Sequence, residues 1–263
     1  MIRLTISNHK GGVGKTTSTV TLARCFADVG KRVLVIDTDP QGNLWGMFSR
    51  NPKFANGNGP KSWVHQLFAE EPTPASQMTF PVHERISAIF SNRHTFFAES
   101  RLSAMMGRET VFCRLLGPLE SEFDVVLVDV APSISHLHTC AVGYTQQFII
   151  PVGMDTLSID GAHSSLGTAE SLNRAIRLSC RCVGILPTMV DQRISATEYV
   201  LHTLSQLSIA KGIPMLPSIR TDQSINKAMR AGEFLQDYDP KSRALEDYQS
   251  VVEQLLALDT VAT

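Results

Sequence analysis

Apolar runs too short to be helices punctuate the chain at Ile2–Ser7, Val33–Asp37, Ile86–Phe90, Val125–Val130, Gln147–Val152 and Val183–Pro187. Several are apolar almost throughout rather than alternating, which is the pattern of strands covered on both faces. Longer stretches between them read as helices: Lys15–Val29, Arg101–Glu122, Ile159–Leu178, Ser195–Lys211 and Ser242–Leu258. Strand and helix alternating along the chain predict an α/β fold, a doubly wound and mostly parallel sheet flanked by helices. Asn51–Pro60 reads as a loop, and Pro72, Pro74 and Pro81 break up the segment that follows a short helix near Trp63–Ala69. No repeat of fixed period and no shift of composition marks a boundary, so residues 1–263 read as a single domain.

Composition narrows the class. With 43% hydrophobic and 19% charged residues the chain can bury a core and is not of the disordered type. No apolar run approaches the roughly 20 residues of a membrane span, and Met1–Ser7 lacks the pattern of a signal peptide. Five scattered cysteines fit reduced thiols in a cytoplasmic protein. A net charge of -1, from 24 Lys+Arg against 25 Asp+Glu, argues against coating nucleic acid by bulk charge alone.

The chemistry begins directly after the first strand, with Lys10-Gly11-Gly12-Val13-Gly14-Lys15-Thr16-Thr17 opening a helix. Glycines let the backbone turn its N–H groups onto one anion, and the helix N-terminus adds partial positive charge. Lys15 is placed to reach β- and γ-phosphates and the Thr16 hydroxyl to ligate Mg²⁺. The generic phosphate-loop pattern wants glycine at position 9, which is His9; a second lysine, Lys10, stands five positions before Lys15 instead.

That departure resembles the deviant phosphate loop of the ParA/MinD superfamily of P-loop ATPases. In that family the additional lysine crosses a dimer interface to phosphates bound by the other subunit. Asp37-Thr38-Asp39-Pro40-Gln41-Gly42-Asn43 is similar to the family's D-x-D-P-Q-G-N motif at every specified position. The resemblance implies that Asp39 orients the attacking water and that Asp37 supports the Mg²⁺ shell. Val125–Val128 leads into Asp129 as a Walker B strand leads into its carboxylate, which would hold a water of the Mg²⁺ shell or the Thr16 hydroxyl. Val130-Ala131-Pro132-Ser133 is close to the family's D-x-P-P-S, with alanine for the first proline. Blocks at Pro151–Asp155, Gly184–Arg193 and Tyr238–Ser242 are also similar, and the second of these, with the loop around Pro217, is expected to flank the adenine.

By resemblance, then, Lys10, Lys15 and Asp39 are the catalytic residues; Lys10, Gly11, Gly12, Val13, Gly14, Lys15, Thr16 and Thr17 bind nucleotide; and Thr16, Asp37 and Asp129 serve the metal. The cofactors are ATP and Mg²⁺. The implied function is a slow ATPase acting as an ATP-dependent homodimer that binds DNA non-specifically. It would segregate a plasmid, chromosome or mobile element with a stimulating centromere-binding adaptor, and would sit on the nucleoid when ATP-bound. Arg174, Arg177, Arg181, Lys227 and Arg230 are the candidate DNA contacts, with ordinary solvated surface charge as the competing reading. In Ser218–Gly232 the family's I-P-R-N is replaced by Ile219-Arg220-Thr221-Asp222.

Other readings are open to test. A relative that positions a protein cargo would carry the same ATPase residues. A membrane-associated positioning ATPase would need a basic amphipathic C-terminal helix, whereas Val251–Asp259 has acids and no Lys or Arg, so no membrane contact is expected. His136-x-His138 and Cys180-x-Cys182 read as packing residues rather than metal ligands. Val130 stands where the family's iron–sulfur proteins have cysteine nearby.

Overall fold

The computed structural model describes residues 1–54 and 57–261. Seven strands form one sheet: β1 (Ile2–Ile6), β2 (Val33–Asp37), β3 (Phe80–His83), β4 (Ile86–Ile89), β5 (Val125–Asp129), β6 (Gln147–Val152) and β7 (Arg181–Pro187). Their order across the sheet is β3-β4-β2-β5-β1-β6-β7, parallel except for β3 against β4. The helices are α1 (Lys15–Asp28), α2 (Asn43–Phe48), α3 (Phe96–Ala104), α4 (Val111–Leu116), α5 (His136–Thr145), α6 (Thr156–Ile176), α7 (Ser195–Lys211), α8 (Gln223–Ala231), α9 (Leu235–Tyr238) and α10 (Arg243–Val261).

The near-continuous apolar strands are covered on both faces, as the pattern requires. Leu4, Ile6, Val33, Val35, Val125 and Leu127 pack with α1, α2, α8 and α10. The alternate residues Leu34, Ile36, Val126 and Val128 pack with α3, α4 and α5, and Phe148, Ile150 and Ile185 with α6 and α7. The second face of β1 is polar, and hydrogen bonds satisfy it: Thr5 Oγ1 lies 2.8 Å from Thr145 Oγ1, and just beyond the strand Ser7 Oγ lies 2.8 Å from His138 Nε2. His138 is thus a buried core histidine, as its spacing suggested.

Two expected elements change. Arg101–Glu122 is not one helix: α3 ends at Ala104, Gly107 takes a left-handed φ of 67°, and α4 and a 3-10 turn over Gly117–Glu122 follow. Glycine and proline here override an apolar spacing that resembled a longer helix. Phe80–His83 joins the sheet despite Pro81, because β3 is an edge strand and the missing N–H breaks no central ladder. The loop expected over Asn51–Pro60 lies partly outside the described residues.

β1 and β5 are neighbours whose chains leave in opposite directions, β1 through α1 to β2 and β5 through α5 to β6. A crevice opens beyond the carboxyl ends of strands at such a point. The glycine loop fills it.

Candidate functional site

Gly12 (φ 77°) and Gly14 (φ 86°) take the left-handed conformations that make the turn between β1 and α1. Gly14 is the N-cap of α1, no side chain caps the helix, and its first turn contains no acid. The free amides and the helix dipole therefore face the crevice with no internal anion to satisfy them. Val13 anchors the loop: its side chain is buried, and its carbonyl accepts from Thr188 Oγ1 at 2.9 Å, just past β7.

The two lysines are held differently. Lys15 is buried and donates to the Lys10 carbonyl at 2.8 Å; burial lowers its pKa while the Asp129 and Asp39 charges oppose that shift. Lys10 lies on the rim. Its ammonium pairs with Asp155 Oδ1 at 2.6 Å, with Ser158 Oγ at 3.4 Å. Asp155 is the N-cap of α6, accepting from Ser158 N at 3.0 Å and Ser158 Oγ at 2.7 Å. An Asp ahead of a helical pattern signals such a cap in the sequence; its pairing with Lys10, distant along the chain, has no local signal.

Asn8 ties this limb of the loop to α6. Its side chain donates to Pro151 O (2.8 Å) and Ser158 O (3.1 Å) and accepts from Lys10 N (2.9 Å). Such close approach needs Gly161, where a Cβ would lie 2.1 Å from Asn8 Oδ1.

Register places Asp37 opposite Asp129 on β2 and β5. Both are fully buried, and Asp129 Oδ1 and Oδ2 and Asp37 Oδ2 have no hydrogen-bond partner among the described residues. Burial pushes Asp129 up to about 7, against the pull of the Thr16 hydroxyl and the Lys15 charge. Burial, then the neighbouring Asp129 charge, holds Asp37 well above the usual carboxylate range. Orphaned acid oxygens beside a threonine hydroxyl suit a hard cation with oxygen ligands. Thr16, Asp37 and Asp129 therefore fit Mg²⁺. Asp39, also buried, donates its amide to Asp37 Oδ1 at 2.9 Å and accepts from Gln41 N at 2.9 Å.

A cleft of about 660 Å³ joins these parts. Gly11, Gly12, Gly14–Thr17 and Asp39 line it together with Thr188, Met189, Ile219–Asp222 and Tyr248. The expected adenine-flanking segments thus meet the loop in one cavity.

The match of residues 1–181 to the AAA domain family, added to this loop, sheet order and paired acids, decides the family. The chain belongs to the ParA/MinD superfamily of P-loop ATPases. The sporulation initiation inhibitor protein Soj of Bacillus subtilis is 26% identical over 97% of this chain and 98% of its own length. The chromosome-partitioning ATPase Soj of Thermus thermophilus is 28% identical over 97% and 95%. Among solved structures, the cobyrinic acid a,c-diamide synthase of Mycobacterium smegmatis with bound ATP analog and magnesium superposes with a TM-score of 0.81, 26% identity and coverage of 97% and 94%.

The five basic candidates separate into two groups. Arg174, Arg177 and Arg181 are exposed where α6 ends and β7 begins, at the amino ends of the strands. Lys227 and Arg230 are exposed on α8, whose Asn226 and Met229 line the cleft at the opposite end. Arg220 is engaged within the fold, paired with Asp247 at 2.7 Å and donating to Arg243 O. The apolar face of α10 is spent on the core through Leu245, Tyr248, Val251, Val252 and Leu255. No helix among the described residues is long and apolar enough to cross a membrane.

Proposed function

We propose that this chain is an ATP-hydrolysing switch that dimerises around ATP, binds DNA non-specifically in that state, and partitions a DNA cargo with a centromere-binding adaptor. The observation that carries the proposal is the separation of the two loop lysines. Lys15 is committed to its own phosphate loop, whereas Lys10 sits on the rim, held by a partly exposed ion pair with Asp155 and a long contact to Ser158 Oγ that a second molecule's phosphates can replace. Met189 (45% exposed) in the cleft lining, Leu157 (64%) two residues past Asp155 and Ile134 (71%) in the loop after Asp129 offer apolar surface to a second copy.

Lys15 and the loop amides would bind the β- and γ-phosphates, Thr16 the metal, and Asp39 would orient water for in-line attack. Thr16, Asp37 and Asp129 would hold Mg²⁺, which would supply charge neutralisation at the phosphates. Lys10 of the second copy would add positive charge where the transition state gathers negative charge. Loss of the γ-phosphate removes the group both lysines share and loosens the dimer. The bound nucleotides of the diamide synthase and the partition role of the Soj relatives support this reading.

Dimerisation doubles each basic group, and affinity for DNA rises steeply with the number of phosphate contacts. The test is DNA binding at low salt with ATP-Mg²⁺, with ADP and without nucleotide. Binding confined to ATP, lost in Lys10→Ala and retained in Asp39→Ala, is expected. A wild type that hydrolyses ATP and binds no DNA in any state refutes the partition reading and favours a protein cargo.

A further inference from the structure

We propose that Glu99, on α3 and outside the nucleotide cleft, is a positioning residue for hydrolysis that fixes the loop following Asp129. Its carboxylate accepts from the first two amides of α5: Oε2 from His136 N at 2.9 Å and Oε1 from Leu137 N at 3.0 Å. The helix already has a local cap, Ser135 Oγ accepting from His138 N at 3.1 Å. A distant acid that spans two successive amides does more than satisfy them: it fixes the helix end in rotation and in position, with negative charge on its positive pole.

The fixed point matters because of what lies between it and the site. Residues 130–135 run from Asp129 to the start of α5. Their near end is clamped by Thr38, whose N–H and Oγ1 both donate to the Asp129 carbonyl at 2.9 Å. Their far end is clamped by Glu99. Between the clamps Pro132 lies against the phosphate loop, its Cγ 3.8 Å from the position of a Cβ on Gly11, and it lines the cleft. Released at Glu99, the loop keeps its covalent path and loses its fixed height over the phosphates. Ground-state nucleotide binding rests on Gly11–Thr17 and is little affected. Alignment of the reacting atoms suffers, and displacements of about 1 Å can cost up to about a hundredfold in rate.

This rests on the ATPase reading, and the experiment separates the two. Steady-state ATP hydrolysis is measured for wild type, Glu99→Ala and Glu99→Gln, beside amide hydrogen exchange over residues 130–138 and a thermal melt. Glu99→Ala is expected to lower kcat roughly tenfold with KM for ATP within about twofold, and to speed exchange at His136 and Leu137. Glu99→Gln keeps one accepting oxygen but turns its NH2 toward the other amide and carries no charge, so it is expected to recover kcat only in part. A Glu99→Ala kcat within twofold of wild type, unchanged exchange over 130–138, or loss of kcat and melting temperature together without rescue by Glu99→Gln each overturns the positioning role. Wild type without any ATPase overturns the underlying reading instead.

Discussion

Gly161→Ala sets helix propensity against packing, and the two give opposite signs. Gly161 lies inside α6, where alanine is worth about 1 kcal/mol more than glycine. Yet the added Cβ would sit 2.1 Å from Asn8 Oδ1, 3.0 Å from Lys10 N and 3.1 Å from Lys10 Cβ. Asn8 is fully buried and cannot yield without disturbing its bonds to Pro151 O, Ser158 O and Lys10 N. Overpacking costs about 1–3 kcal/mol, and each buried hydrogen bond lost adds about 1 kcal/mol. With one such bond lost and the propensity gain subtracted, a net destabilisation of about 1–3 kcal/mol follows. It falls on the limb of the loop that carries Lys10, so urea denaturation of the nucleotide-free protein should show it together with weaker ATP binding. A Gly161→Ala protein as stable as wild type, with unchanged affinity for ATP, would refute the claim that α6 and the phosphate loop are locked at this contact.

Three further outcomes follow from the site. Asp155→Ala frees Lys10 and also removes the N-cap of α6, so stability should fall by about 1–2 kcal/mol, mostly from the lost cap, while the ATP-dependent dimer, read by light scattering, should form at lower protein concentration. Asp129→Asn removes one of two buried acids that oppose each other's ionisation, so the ligand-free melting temperature should hold or rise while ATP-Mg²⁺ no longer raises it. Burial holds His138 at a pKa of about 3 in the fold against 6.5 when unfolded, so only the unfolded chain takes up a proton as pH falls below 6.5. Stability from this group is complete above pH 6.5 and falls by about 2 kcal/mol by pH 5; a His138→Gln variant should show a flatter acid limb in urea melts across that range.

The parallel strands and the long helices on either side of them were legible because burial on both faces writes itself as unbroken apolar runs. The phosphate loop and the acids at strand ends were legible because their chemistry dictates residue type at fixed spacing. What was lost was weak in local pattern. α5, His136–Thr145, contains Gly143 and little periodicity, yet a parallel β5-to-β6 crossover demands a connecting helix there, and Ser135 marks its cap. α2 and α8 are short, and α2 begins in a turn. The partners that hold the site, Asp155 on Lys10, Gly161 against Asn8 and Glu99 on α5, depend on contacts between segments distant along the chain, which no local pattern encodes. The grouping of the basic residues depends likewise on which end of the sheet each helix reaches.

The central claim, that Lys10 completes the site of a second copy, is tested most directly by mixing two inactive variants. Lys10→Ala keeps Lys15 and Asp39 but offers its partner no lysine; Asp39→Ala offers Lys10 but cannot orient water. In a mixed dimer the Lys10→Ala subunit receives Lys10 from the Asp39→Ala subunit, so one site in two is whole. ATPase activity well above the sum of the separate variants, rising with the fraction of mixed dimer, is the predicted result. Activity equal to that sum at every mixing ratio, with mixed dimers present, contradicts it and returns Lys10 to its own subunit's site.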